Sequence, residues 1–256
     1  MKVRYLLLST LLSGVIILQG CSSSGSENSL NDLENATASK GKSGGNKCLL
    51  DYAEKLDELL TRELAGETVQ YTPEDAEKDY SKVLSNPLYH SVRYSWKSDR
   101  TKSMSFGAHE VMVPVRDEVA LYGINPVTYD EFKQRRRNVT DEELAEMNKR
   151  ISETLSGQTE NEAVKKQLEK LEKMGVDQST VQGMSSSVTG MAGKVAQSYS
   201  EVSGLGDAAA WNSYEQRLYV LDRGVEFAVA VSAGEDENVN KEKSVALAKK
   251  ILNICD

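Results

Sequence analysis

Three cysteines, two histidines and a few short glycine-rich, acidic and basic motifs are the residues of this 256-residue chain whose types could do chemistry. The thiols of Cys21, Cys48 and Cys255 can be acylated, oxidised to a bridge or turned towards a metal. His90 and His109 lie 19 positions apart, with no H-E-x-x-H and no cysteine pair beside them, so the familiar zinc spacings are missing. His90, next to an alternating segment, reads as a surface or turn residue. Gly204-Leu-Gly206-Asp207-Ala208-Ala209 has the outline of a dinucleotide fingerprint. It lacks the strand–turn–helix setting that would place a pyrophosphate on a helix N-terminus. The glycines read instead as a tight turn, with Asp207 capping it and Trp211 packing on a sheet. Residues 190–195 approach a phosphate loop but miss its first glycine spacing and its final hydroxyl, and no G-x-S-x-G occurs. Glu235, Asp236 and Glu237 do not follow the calcium-loop pattern and read as a solvated loop. Arg135, Arg136 and Arg137 read as a solvated helix end whose cations suit the helix dipole. No catalytic set, metal site or cofactor site is expected, and the chain is expected not to be an enzyme.

These residues need elements to hold them. Lys2 and Arg4 precede an apolar run over residues 6–18, and Gly20 closes it. That is the layout of a secretory signal peptide. The run is too short for the roughly 20 residues that cross a bilayer as a helix. Residues 22–47 are Ser, Gly, Asn, Lys and Glu with few apolar positions, which predicts a flexible tether. Net charge is −8, and about −10 once Lys2 and Arg4 are removed, leaving 29 basic and 39 acidic residues. Such a balance argues against nucleic acid or an anionic lipid surface as the main partner.

Apolar residues at 49, 50, 53, 56, 59, 60 and 64 predict one helix over residues 48–64. Thr72-Pro73-Glu74-Asp75 predicts the start of a second, running to about residue 84. Val92, Tyr94 and Trp96 alternate with Ser91, Arg93 and Ser95, the pattern of a half-buried strand, and Val111, Val113 and Val115 repeat it, with residues 119–124 as a continuation. Thr128–Glu131 and Thr140–Glu143 match capping boxes. Residues 142–174 predict a helical hairpin or a long kinked helix. Residues 218–231 predict two strands around Asp222-Arg223-Gly224, followed by a helix from about residue 241 that places Cys255 near its buried side. Val181, Met184, Val188, Met191 and Val195 form a helical stripe among small residues. That stripe predicts close packing on the same domain, or a candidate face for a partner.

Leu18-Gln19-Gly20-Cys21 resembles the lipobox of bacterial lipoproteins. The resemblance implies cleavage before Cys21, acylation of its thiol, and a place in the cell envelope. Two or three acyl chains hold a protein at a bilayer where one does so only marginally. Ser22 after the cysteine implies the outer membrane, with the domain in the periplasm. Residues 202–211, "VSGLGDAAAW", with "LYVLDRGVEFAVAV" and the closing "KSVALAKKIL", resemble function-unassigned envelope lipoproteins with a PsbP-like α/β sandwich. That implies an α+β fold, an antiparallel sheet packed with helices, and an inserted long-helix arm at about 140–200. The organisation expected is a signal peptide over 1–20, lipidated Cys21 and tether over 21–47, and one domain over 48–256. In an oxidising compartment Cys48 and Cys255, at the two ends of that domain, would close a loop of about 200 residues and add roughly 4–5 kcal/mol; the alternative is two unpaired buried thiols. The role expected is a non-catalytic binding or assembly module that meets another envelope protein, with a carrier or sensor of a small hydrophobic ligand as the alternative.

Overall fold

The structure, a computed structural model, describes residues 45–82, 86–106, 109–155 and 190–256. Of these, the described residues of 45–137 and 198–256 belong to one compact unit, and residues 138–155 and 190–197 to a second. Cys21, Val181, Met184 and Val188 lie outside the described residues.

The larger unit is α+β. Its sheet has seven strands: β1 (Glu77–Ser81), β2 (Ser91–Trp96), β5 (Asp117–Pro126), β6 (Tyr199–Glu201), β7 (Ala208–Asn212), β8 (Arg217–Asp222) and β9 (Val225–Ser232). They lie in the order β1-β2-β5-β9-β8-β7-β6, each antiparallel to its neighbours. A separate two-stranded ribbon, β3 (Thr101–Phe106) with β4 (His109–Pro114), links β2 to β5. One row of the sheet reads Tyr80, Val92, Leu121, Val229, Leu218, Trp211 in direct register. This face carries the main core. Against it pack α1 (Lys47–Asp51), α2 (Leu56–Leu59), α3 (Arg62–Val69) and the C-terminal α6 (Glu237–Ile254), through Leu49, Leu56, Leu59, Leu60, Leu247 and Ile251. The neighbouring row, on the opposite face, reads Ser91, Tyr122, Ala228, Tyr219, Ala210, Glu201. There α4 (Tyr129–Arg135) buries Phe132 over Ala208, Ala210 and Leu221.

Two predicted helices change form. Residues 48–64 divide among α1, α2 and the start of α3. Lys55 (φ −141°) and Leu60 (ψ 89°) leave helical geometry, and Thr61 caps a new start by accepting from the Leu64 N–H. The helix expected from Pro73 stops after one 3₁₀ turn, Pro73–Asp75, and residues 77–81 form edge strand β1. Tyr80 makes the strand the better choice. Its hydroxyl accepts from the Leu56 N–H at 3.0 Å and donates to the Glu54 carbonyl at 2.9 Å, satisfying backbone groups left by the broken first helix. The predicted strands over residues 91–96 and 218–231 are present. Val111 and Val113 belong to the ribbon, where Val111 is exposed rather than buried, and Val115 follows its last residue.

In the smaller unit, α5 (Asp141–Leu155) begins at the expected Thr140–Glu143 box, with reciprocal bonds of 2.8 and 3.2 Å. Residues 190–196 are helical. Their packed side is Gly193, where a Cβ would lie 3.2 Å from the Leu144 side chain, and buried Ala196. Met191 is exposed and Val195 half-buried, so this part of the stripe packs through its small residues.

Candidate functional site

The cysteines at the two ends of the domain meet. Cys48 in α1 and Cys255 at the end of α6 form a disulfide, with Cα atoms 5.4 Å apart and 207 positions between them in sequence. Beside the bridge, the β8–β9 turn joins several chain segments at this end of the sheet. Arg223 and Gly224 both have positive φ (46° and 74°), the requirement of a tight hairpin turn whose twist matches its strands. The Arg223 N–H donates to the Asp207 carboxylate at 2.6 Å. Its guanidinium donates to Asp222 at 2.8 Å, to the Cys255 carbonyl at 3.1 Å and to the Asp256 carboxylate at 3.0 Å. Its carbonyl accepts from the Asn46 N–H at 3.0 Å. Asn46, almost fully buried, donates through its side chain to Asp222 at 2.7 Å and accepts from the Leu49 N–H at 3.1 Å. The first described turn of the domain, the glycine turn, the hairpin and the C-terminus are thus tied at one point.

The Asp207 carboxylate thus caps the hairpin turn, while its backbone N–H donates across to the Leu221 carbonyl at 2.8 Å. Gly204 (φ 73°) and Gly206 (φ 55°) sit in left-handed backbone. Trp211 is a buried strand residue of β7 and lines the core. Its indole N–H donates to Glu237, at the start of α6, at 3.0 Å. The space between sheet and helices, where a small hydrophobic ligand would lie, is occupied by Trp211, Phe227, Leu218, Leu247 and Ile251, each at most 2% exposed.

The opposite sheet face carries a polar cluster that the basic run at 135–137 did not reveal. Arg136 is not a solvated helix end. Its Nε donates to the buried Glu226 carboxylate at 2.7 Å, its Nη1 to the Tyr199 hydroxyl at 3.2 Å, and its guanidinium lies 3.7 Å from the Tyr219 ring centroid. Arg217 stacks 3.8 Å from the Tyr122 ring, and the Tyr219 hydroxyl donates to Glu215 at 2.5 Å. The alanines between the tyrosines in register make room for these long cations to lie flat on the sheet. Burial raises the Tyr219 hydroxyl far above its ordinary value, so it stays protonated. Burial would lower the Arg136 pKa, but Glu226 and the tyrosines outweigh it and the net shift is upward. The sequence signal was Glu226 set in the otherwise apolar β9, in phase with Tyr219 and Tyr122 under strand alternation. The arrangement offers matched charges and buried rings, a rigid support rather than a reacting pair.

His90 is a turn residue, its N–H donating to the Pro87 carbonyl at 3.0 Å, but it is not on the surface. It is 3% exposed, its carbonyl accepts from the Gly123 N–H at 3.0 Å, and its Nδ1 lies 3.6 Å from the Glu54 carboxylate. At the far end of the sheet, two open clefts of about 420 and 620 Å³ share Tyr71 and Lys97. Tyr71 meets Trp96 edge-on with centroids 5.8 Å apart and donates to Asp117, which also binds Arg100. Its hydrogen bond to Asp117, aided by burial, raises the Tyr71 pKa, so the hydroxyl holds its proton and is a poor nucleophile. Among the described residues no group of three or more His, Cys, Asp or Glu is placed to hold a metal ion. Comparison with protein families, with curated proteins and with solved structures finds no match to this chain.

Proposed function

We propose that this chain is an exported lipoprotein, anchored in the outer membrane through acylated Cys21, whose α+β domain serves in the periplasm as a non-catalytic binding or assembly module for another envelope protein. The observation that carries the reading is the Cys48–Cys255 bridge. Such bridges persist where the surroundings oxidise thiols, as outside the cytoplasm. It fits the export layout of residues 1–20 and the lipobox-like Leu18–Cys21. The Arg223 clasp supports the same reading: residues 45–47, which follow the proposed tether, enter the domain where hairpin, glycine turn and C-terminus are joined. The resemblance of residues 202–252 to PsbP-like envelope lipoproteins agrees with the sheet-and-helix layering. No helix among the described residues is long and apolar enough to cross a membrane, so lipid would supply the anchor.

The test is incorporation of labelled palmitate with membrane fractionation. The parent chain should take up label and sediment with outer membranes. Cys21→Ser should take up none and appear in the soluble periplasmic fraction. Equal sedimentation of both chains, without label in the parent, would remove the reading.

A further inference from the structure

The β3–β4 ribbon shares no ladder with the seven-stranded sheet. Two-stranded ribbons are marginal alone in water; a third or fourth strand and an apolar face make them stable. This one is firmly rooted. Arg100, at its base, binds Asp117 and donates to the Gly234 carbonyl at 3.0 Å and the Ser232 carbonyl at 3.1 Å, while the Val115 N–H donates to the Arg100 carbonyl at 2.9 Å. Beyond the root, Met112 is 60% exposed, more than any other large apolar side chain among the described residues, and Val111 is 45% exposed.

The register says which backbone groups are open. Arg100 and Val115 form a hydrogen-bonded pair, so in an antiparallel ladder the pairs 102/113 and 104/111 do too. The N–H groups of Glu110 and Met112 then point away from β3, along an edge of β4 that no strand among the described residues pairs. Pro114 closes that edge because it has no N–H.

We propose that the free edge of β4 pairs with the same edge of a second copy of this chain, antiparallel and centred on Met112. A two-fold axis there places Met112 opposite Met112, Val111 opposite Val113 of the second copy, and Glu110 opposite Pro114. The edge is self-complementary: no like charges face each other, the central partners Val111, Met112 and Val113 are β-branched or apolar, and each Glu110 faces the uncharged Pro114. The outward N–H groups of Glu110 and Met112 find the carbonyls of Pro114 and Met112 across the axis. The ribbon becomes a four-stranded sheet, and the two exposed apolar residues of each copy are covered. Each copy carries a net charge of −8, so long-range repulsion opposes the pairing and added salt strengthens it.

The test uses two full-length chains with different tags, one Val111→Cys and one Val113→Cys, co-expressed and oxidised with copper phenanthroline. These positions form a close, non-hydrogen-bonded pair across the axis, with Cα atoms about 4.5 Å apart, within disulfide reach. The mixture should give a reducible dimer at least about tenfold more abundant than either variant alone, a change of ~1.4 kcal/mol in apparent association. Adding Met112→Pro to both chains, which removes an outward donor, should abolish the dimer while far-UV circular dichroism stays unchanged. No dimer from the mixture, equal yields from all three samples, or a dimer indifferent to Met112→Pro would each overturn the proposal. Lipid attachment has its own readout in palmitate uptake, so failure of one reading leaves the other standing.

Discussion

A Cβ on Gly206 would sit 2.3 Å from the Leu221 carbonyl oxygen, in backbone with φ +55°. Gly204 has φ +73° but nothing within 4 Å of the same atom. The pair separates two costs usually confounded. Gly204→Ala should lose about 1 kcal/mol, the cost of left-handed backbone alone. Gly206→Ala should lose roughly 2–4 kcal/mol, because the Leu221 carbonyl must also move and its bond from the Asp207 N–H goes with it. Urea unfolding of both variants measures the difference; equal losses would mean the turn yields freely. On the other sheet face, Glu226→Gln leaves the Arg136 guanidinium with a neutral partner in a site where Arg136 is 20% and Glu226 4% exposed. The expected loss is roughly 2–4 kcal/mol, at the lower end because Arg136 keeps some contact with water. Replacing both residues by Met should cost less than the sum of the single losses, since no buried charge is then left alone.

At the scale of elements, what could be read from the sequence depended on whether a segment's own pattern agreed with its place in the fold. The β8–β9 hairpin was legible because Leu218, Val220, Phe227 and Val229 alternate around a short turn whose Gly224 suits positive φ, even though Arg223 beside it does not. The α4 start was legible because Thr128 and Glu131 cap each other locally, with bonds of 2.9 and 3.3 Å. Strand β1 was not. Its sequence, EKDYS, lacks apolar alternation because it is an exposed edge, and its pairing with β2 is a tertiary fact. Nor was Arg136 legible, since its partners Glu226 and Tyr219 lie more than 80 positions away. The capping box gives a pH test. Hydrogen bonds from Thr128 hold the Glu131 carboxyl below its ordinary 4.5. In the unfolded chain Glu131 takes up a proton as pH falls through about 4.5, whereas the folded protein resists until lower pH. The stability this gives is present above that pH and fades as pH falls through the folded value. Thr128→Ala should cost about 1 kcal/mol at pH 7 and flatten this part of the acid limb only in part, because the Thr128 backbone N–H, the larger cause of the shift, still donates to Glu131. Parallel acid limbs in the two proteins would show that the Thr128 hydroxyl does not contribute to it.

For the whole molecule, the disulfide is the largest single constraint on the unfolded chain. It spans 207 positions, which by loop-closure entropy corresponds to about 5 kcal/mol, comparable to the entire stability of many domains. The native ends meet without it, through Asn46, Asp222 and Arg223, so the double variant Cys48→Ser, Cys255→Ser keeps a reason to fold the same way. If the bridge acts mainly on the unfolded ensemble, removing it has two linked effects. The urea midpoint falls, and the dependence of unfolding free energy on urea steepens, because an unbridged chain expands further and exposes more surface. If it acts instead by tightening the native contacts at the clasp, the midpoint falls with the slope unchanged, and amide exchange near residues 46–49 and 222–224 accelerates in the native state. The buried Asn46 and the dense bonding around Arg223 favour the first outcome, because those groups already hold each other in place before the sulfurs are joined.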